Sequence, residues 1–339
     1  MADPHSKPEK APTIYDIAQL AGVNPSTVSR ALSKPGRVSA HTEARIRAAA
    51  EQLNFRFNPM ARALPTGRRF TIALVVADIT NPVIFDIVRG AEQAASAAGY
   101  TLVIAESQES EDAEAETIEK LTPSVDGIVL ATTRLTDARI SALAERRPLV
   151  LINRAVDGVR GVLPDIESGV EELLDHLAGL GHRSVVYVAG PATSWISARR
   201  FEHLLAGAER RGMALTEVGH NAPTIDGGRA ALRRVIASRA SAVVGFNDLI
   251  AIGLMQAAAD QGLNVPKTLS VAGFDDIFGS ELITPALTTV KAQLTVAGAR
   301  AVDRLLHGLD AGADDQHDDA PLATTLIIRG STGPAAPPA

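Results

Sequence analysis

Five neighbouring residues form a small polar face that could recognise a nucleic acid. They are Pro25, Ser26, Thr27, Ser29 and Arg30. If this segment is helical, the apolar residues between them face inward and leave these five outside, at the N-terminal end of the helix. A guanidinium can donate two parallel hydrogen bonds to guanine, which discriminates between bases by about 1–3 kcal/mol. Arg30 is therefore the residue of this face best equipped to read a base, with a contact to phosphate alone as the alternative.

Three short helices would have to position this face. Thr13 and Asp16 have the spacing of a capping box, which marks the start of one helix. Gly22 then allows a sharp turn, and Asn24 followed by Pro25 is typical of a second helix start. Apolar spacing predicts the three helices at about 14–20, 25–32 and 39–53. Two short helices joined by a glycine turn and closed by a third indicate a helix-turn-helix unit.

The charge distribution favours the same interpretation. Residues 1–69 carry 11 Lys/Arg and 5 Asp/Glu, a net charge of +6. The rest of the chain carries 22 Lys/Arg and 34 Asp/Glu, a net charge of −12. A basic segment on an acidic body is typical of a polyanion-binding head, because cations near phosphates release condensed counterions. A solvated basic tail without a nucleic-acid partner is the alternative.

Bulk composition limits the class of protein. A length of 339 residues predicts two or three domains, and 46% hydrophobic with 21% charged residues is typical of a globular protein. No apolar run approaches the roughly 18–20 residues that cross a bilayer. Residues 1–12 are polar and proline-rich, unlike a secretory signal, so we expect a disordered arm and a cytoplasmic protein. The absence of cysteine excludes disulfides, thiolate nucleophiles and cysteine-based zinc sites.

From Thr71 onward, short apolar runs alternate with helical patterns. The runs TIALVVA, TLVIAE, DGIVLAT and PLVLIN are strand-like, and the pattern restarts after about residue 165 with SVVYVAG, SAVVGF and LSVAGF. This alternation predicts two consecutive α/β lobes with parallel sheets. Such sheets bind ligands beyond the carboxyl ends of their strands, so a cleft between facing lobes is the expected site. Arg134 and Arg154 each follow a strand-like run and are candidates for it.

An enzyme is the main alternative, because α/β lobes often carry catalysis. The sequence has no phosphate-binding P-loop, dinucleotide-binding glycine motif, zinc-protease motif or nucleophile elbow, and its eight histidines are scattered. The adjacent carboxylates Asp275 and Asp276 could perform acid/base chemistry, but ligand binding or helix capping is the favoured interpretation. We therefore expect no catalytic residue, no cofactor and no metal site. A cytosolic small-molecule-binding protein is a second alternative, which leaves the basic segment unexplained.

The N-terminal segments TIYDIAQLAGVNPSTVSRAL, VSAHTEARIRAAAEQLNF and NPMARAL resemble the headpiece of the lactose repressor/galactose repressor (LacI/GalR) family over residues 13–64. The resemblance implies that Tyr15, Ser29 and Asn58 approach phosphates, while Pro25, Ser26 and Arg30 take base-reading positions. A hinge helix would start at Asn58, fold when bound to DNA and wedge Leu64 into the minor groove of a pseudo-palindromic operator held by a homodimer. Pro65 follows directly, so this helix should end abruptly.

The body also resembles this family, with the periplasmic-binding-protein type I fold. The resemblance is carried by VDGIVLAT, LGHRSVVYVAGP, VVGFNDLIAIGLMQAAADQGLNVPKTLSVAGFDD and TPALTTV. It implies effector contacts by four polar residues at strand ends, Asp165, Arg200, Asn247 and Asp275. Each has a structural alternative: Asp165 and Asn247 could cap helices, Arg200 could pair with Glu202 or Glu209, and Asp275 could be a turn residue.

Three positions depart from the family pattern. Val83 and Ile84 stand where sugar-binding members commonly have aromatic residues, so stacking on a sugar should be weaker there. Trp195 could supply a stacking platform for a sugar instead, with packing on the lobe surface as its alternative. Phe246 is also part of the predicted effector site. Ala292 replaces the usual glutamine.

Taken together, the sequence predicts a ligand-controlled DNA-binding repressor that acts as a homodimer, with a sugar or sugar derivative as effector. The coiled-coil route to a tetramer lacks support, because the C-terminal tail has no leucine heptads. The predicted divisions are an arm (1–12), a helix-turn-helix domain (13–57), a hinge (58–70), an effector domain (71–332) and a disordered tail (333–339). Within the effector domain the predicted first lobe is 71–165 with 293–324, and the second is 166–292 with 325–332.

Overall fold

A computed structural model describes residues 12–33, 37–55, 68–309 and 320–335. The chain forms two compact units, one up to Arg68 and one from Arg69. In the described parts of the chain, none of the helices combines the length and apolar character needed to cross a membrane.

The first unit is a bundle of three short helices. They are α1 (Ile14–Ala21), α2 (Pro25–Ser33) and α3 (Ala40–Gln52). The capping box starts α1, because the Asp16 carboxylate accepts from the Thr13 backbone N–H and hydroxyl, both at 2.7 Å. Gly22 ends it in the left-handed conformation at φ 63°. One residue from each helix, Ile17, Val28 and Ile46, is fully buried in the shared core. The three predicted helices agree with these bounds to within one residue.

The second unit contains two sheets that define two lobes. The first sheet has the order β2-β1-β3-β4-β5 and the second β11-β10-β9-β8-β6-β7. The strands are β1 (Thr71–Val76), β2 (Thr101–Glu106), β3 (Gly127–Ala131), β4 (Leu149–Ile152), β5 (Gly161–Val162), β6 (Ser184–Val188), β7 (Ala214–Val218), β8 (Ala242–Gly245), β9 (Ser270–Phe274), β10 (Thr288–Ala292) and β11 (Thr324–Ile327). All pairings are parallel except β10 with β11.

Helices connect the strands. They are α4 (Val83–Ala97), α5 (Glu111–Leu121), α6 (Asp137–Ala144), α7 (Ile166–Gly179), α8 (Trp195–Arg210), α9 (Ile225–Ala237), α10 (Asp248–Asp260) and α11 (Leu294–Leu309). β3, β4 and β8 are buried along their whole length, as expected for strands covered on both faces. The predicted α/β class with parallel sheets is confirmed, although the sequence analysis did not identify β5, β7, β10, β11, α9 or α11.

The first lobe is completed by a helix from late in the sequence. α11 packs against α4, and two glycines allow the backbones to approach closely. A Cβ at Gly90 would overlap the Thr295 carbonyl, and one at Gly298 would overlap the Ile87 carbonyl. The first lobe therefore depends on residues separated by about 200 positions in the sequence.

The start of the C-terminal tail differs from the prediction of disorder from residue 333. The Gly333 N–H donates to Ser270 Oγ at 3.0 Å, and the Gly333 carbonyl lies 3.1 Å from His182 Nε2. Ala335 N–H also donates to the Leu180 carbonyl at 2.9 Å. The prediction is wrong for residues 333–335, because the proline-rich composition gave no sign of a buried histidine that holds this backbone in the second lobe.

Candidate effector cleft and DNA-binding face

A small cavity lies between the two lobes of the second unit, with a volume of about 40 Å³. Its first-lobe wall comes from the start of α4 and the segments after β1, β2, β3 and β4. Its second-lobe wall comes from α8 and the segments after β7, β8 and β9. Small-molecule sites usually measure about 300–1,000 Å³. The cleft is therefore nearly closed, and the lobes or their side chains must move apart to admit a ligand.

Arg200 is the central polar group of the second-lobe wall. Its Nη2 donates to Asp275 Oδ1 at 3.0 Å, and its Nη1 donates to the Phe246 carbonyl. Both side chains of the ion pair are about nine-tenths buried, with 9% and 10% of their surface exposed. The guanidinium also lies over the Phe274 ring, 4.3 Å from its centroid. Arg200 is thus fixed in orientation and faces the cleft without needing a ligand to order it.

Arg134 is the corresponding polar group of the first-lobe wall. Its Nε donates to Glu109 Oε2 at 2.6 Å and its Nη1 to the Thr132 carbonyl at 2.7 Å. Behind it, the Arg134 backbone N–H donates to Glu114 Oε2 at 2.8 Å. Burial raises the pKa of the Glu114 carboxyl, opposed by hydrogen bonds from Thr133 and Arg134. Each lobe therefore presents one arginine that is already paired with a carboxylate.

Asp275 lies in an unusual backbone turn at the end of β9. Asp275 has φ 110° and Asp276 has φ 56°, both in the left-handed region that non-glycine residues rarely adopt. The Asp275 N–H donates to the Val290 carbonyl at 2.9 Å, and Asp276 forms ion pairs with Arg329 at 2.7 Å and Lys291 at 3.0 Å. These contacts point the two carboxylates in different directions, so Asp276 faces its own cations and Asp275 faces Arg200.

A fully buried carboxyl supports this turn. Asp248 accepts hydrogen bonds from Ser280 Oγ at 2.6 Å, Thr289 Oγ1 at 2.6 Å and the Ile277 N–H at 3.0 Å. Burial, reinforced by the nearby Asp275 charge, raises the pKa of Asp248 to about 7. Burial also raises the pKa of Asp275, although Arg200 opposes that change. Asp248 thereby joins the start of α10 to the segment that follows Asp275.

The structure brings six of the eight predicted effector residues together at the cavity. They are Ile84, Arg134, Arg200, Phe246, Asn247 and Asp275. Arg200 pairs with Asp275 and not with Glu202 or Glu209; the neighbouring Arg199 takes Glu202 at 2.5 Å. Asn247 also caps α10, because its Oδ1 accepts from the Ile250 N–H at 2.9 Å. Its capping role and its place in the cavity wall coexist.

Asp165 and Trp195 do not line the cavity. Asp165 caps α7, accepting from the Ser168 N–H at 3.1 Å and its hydroxyl at 2.6 Å. Trp195 is the first residue of α8, and the Arg199 guanidinium lies over its ring, 5.4 Å from the centroid. Arg154, a weaker candidate, pairs with Asp137 at 2.5 Å away from the cavity. In this closed cleft these three side chains have structural partners, and their contacts with an effector stay predictions.

Sequence reasoning missed several polar residues of the site. They are Asp78, Asn81, Glu109, Thr132, Asn153 and the supporting Asp248. All six follow a strand by one to five residues, so the ends of β1, β2, β3, β4 and β8 were the available signal. Glu109 follows β2 by three residues, but only the fold shows that it meets Arg134.

In the first unit, the predicted DNA-contacting side chains lie on or near its surface. Tyr15 is 69% exposed, and Ser26, Ser29 and Arg30 are exposed, whereas Pro25 and Thr27 are half-buried. Arg45 of α3 donates to the Ala21 carbonyl and so ties α3 to the turn between α1 and α2. The two remaining predicted residues, Asn58 and Leu64, lie outside the described residues.

Both parts of the chain are similar to known proteins. A family model described as bacterial regulatory proteins, lacI family, matches residues 13–58, and one described as a periplasmic binding protein-like domain matches residues 174–332. The ribose operon repressor of Escherichia coli (strain K12) is 31% identical over 330 residues, covering 94% of this chain and 99% of the repressor. The transcriptional repressor CytR of the same strain is 30% identical over 339 residues, covering 96% and 98%.

One solved structure is similar to this chain over nearly its whole length. The Lac repressor dimer bound to operator and the anti-inducer ONPF is 25% identical, with a TM-score of 0.83 and coverage of 96% of this chain and 100% of that one. These similarities confirm the resemblance that the sequence motifs indicated. The chain belongs to the LacI family of bacterial regulatory proteins.

Proposed function

We propose that this chain is a transcription repressor whose affinity for an operator is controlled by a small molecule bound between its two lobes. The observation that carries the proposal is the pair of buried, oriented arginines, Arg134 and Arg200, that face one cleft from two lobes. The same chain carries a helix-turn-helix unit with an exposed polar face. A sensor and a DNA reader on one chain account for both features.

The relatives supply the biological class of the proposal. One is a ribose operon repressor, and the Lac repressor structure is a dimer on its operator. By analogy, two copies of this chain bind a pseudo-palindromic operator in the cytoplasm, and a sugar or sugar derivative is the effector. Sugar hydroxyls suit a cleft with guanidinium donors and carboxylate acceptors.

Coupling between the sites follows from the closed cleft. An effector that fits only a more open or differently closed arrangement shifts the balance between lobe arrangements. Operator and effector affinities are then reciprocally linked, typically by about 1–3 kcal/mol. The hinge segment 58–70, whose short helix from Asn58 to Leu64 is predicted to fold on DNA, is the proposed relay between the lobes and the operator.

The test is a binding experiment with the full chain on duplex DNA from upstream of its own gene. Fluorescence anisotropy should show binding that weakens steeply with salt and changes when a sugar panel including D-ribose is added. The sugar should be recovered unchanged, which distinguishes a sensor from an enzyme. Chemical conversion of the sugar, or salt-insensitive binding without sequence preference, would contradict the proposal.

A further inference from the structure

The charged groups of the cleft constrain the chemistry of the effector, an inference that rests on the proposed function. Two cations line the cavity, Arg134 and Arg200, together with three carboxylates, Asp78, Glu109 and Asp275. Each arginine is engaged by one of these carboxylates, at 2.6 Å and 3.0 Å. With the three carboxylates ionised, the lining carries a net negative charge before any ligand enters.

Two further carboxyls stand directly behind the arginine pairs. Glu114 is 1% exposed and bonds the Arg134 backbone, and Asp248 is fully buried behind Asp275. Burial raises the pKa of both carboxyls, and the charge of Asp275 adds to the effect at Asp248. The burial that disfavours the charged form of these two carboxyls would also disfavour a ligand anion in the cleft.

We propose that the cleft selects an uncharged polyhydroxylated effector and rejects sugar phosphates and sugar acids. An anion beside either arginine would lie next to Glu109 or Asp275, so it would either meet the repulsion of a like charge or displace that carboxylate from its arginine, and both are costly. A hydroxyl can accept from a guanidinium and donate to a carboxylate at once, so a neutral sugar leaves both ion pairs intact. A cationic effector would be repelled by the two guanidiniums, which their own contacts hold in place.

The experiment uses inorganic phosphate as the probe and titrates it calorimetrically into the full chain. The wild-type chain should show no phosphate binding in the cleft at millimolar concentration. Glu109→Gln and Asp275→Asn each release one arginine without changing the side-chain shape, so each should bind phosphate at least roughly tenfold more tightly. Two variants in different lobes guard against a local folding defect. Glu116→Gln is the matched control, because Glu116 pairs with Lys120 on the surface away from the cleft.

A second arm separates this inference from the proposed function. Small molecules from a bacterial extract are first cleared of cations on a cation-exchange resin and then divided on an anion-exchange resin, and each fraction is added to the operator complex. Activity in the unretained, uncharged fraction supports the inference. Activity confined to the retained anions, or equal phosphate affinity in all the chains, overturns it while leaving ligand control intact. If neither fraction acts on a stable operator complex, the ligand control itself fails, and the phosphate titration alone decides the charge selectivity.

Discussion

Arg200 Nη2 lies 3.0 Å from Asp275 Oδ1, joining the first turns of α8 to the strained turn after β9. The two residues are 75 positions apart in the sequence, and both line the cleft. Because the ion pair is about nine-tenths buried and stacked over Phe274, its geometry is set by the second lobe before a ligand arrives. Prearranged polar groups of this kind lower the entropic cost of binding.

Arg200→Ala should abolish the ligand response while basal operator binding is kept. Hydrogen bonds to charged groups contribute about 1.5–3 kcal/mol, so effector affinity should fall at least roughly tenfold. The measurement is operator anisotropy as a function of effector concentration. Arg199→Ala is the control, because Arg199 is exposed, pairs with Glu202 and does not line the cavity. An unchanged response in Arg200→Ala would remove this residue from the site.

Leu64→Ala should weaken operator binding without altering effector binding. Leu64 lies outside the described residues, and the prediction rests on its place in the hinge motif NPMARAL. An apolar wedge between base steps is what allows a kinked duplex to contact more protein, so its loss should reduce affinity for the operator. Gel shift and calorimetry measure the two affinities separately. Equal operator affinity in mutant and wild type would reject the wedge role.

Asp248→Asn should change how stability depends on pH. The folded chain holds a proton on Asp248 that the unfolded chain releases, since burial raises its pKa from 3.8 to about 7. The free energy of unfolding of the wild-type chain should therefore fall as pH rises from about 4 to about 7. The total loss approaches about 4 kcal/mol above that range. The variant has no carboxyl at this position and so lacks this loss. Denaturant unfolding of both chains should therefore show that the wild type's advantage in free energy of unfolding over the variant shrinks or reverses as pH rises. Parallel pH profiles would contradict the assignment.

Gly90→Ala should destabilise the first lobe. Its Cβ would overlap the Thr295 carbonyl where α4 crosses α11, and neither backbone can yield without separating the helices. Overpacking of this kind costs about 1–3 kcal/mol, which thermal unfolding would register as a lower Tm. Gly179→Ala is the matched control, because a Cβ there meets nothing within 4 Å and helix propensity favours alanine. Equal Tm values for the two variants would refute the close approach.

Local signals in the sequence predicted much of the fold. The Thr13–Asp16 capping box and the Gly22 turn are set by residues a few positions apart, and both appear in the structure as expected. Fully buried strands such as β3 were recognisable as continuous apolar runs. β7 escaped notice because it is a mostly exposed edge strand with the mixed sequence ALTEV.

The site was harder to predict, because its contacts join distant parts of the chain. Arg200 was identified through its motif, but its partner Asp275 could not be chosen over the nearby Glu202 without the fold. Asp248 was not identified from the sequence, because its three long-range hydrogen bonds show only in three dimensions. Asp165 illustrates the opposite case, since its capping role was a local alternative and is what the structure shows.

Selection of bound sequences from a randomised duplex library by the purified full chain tests whether the basic first unit reads DNA as part of a homodimer. Selection should enrich a pseudo-palindromic sequence whose affinity falls linearly in log–log form with salt concentration, and Arg30→Ala should relax the preference at one position in each half. Recovery of a random pool after repeated rounds, with or without small molecules present, would contradict it.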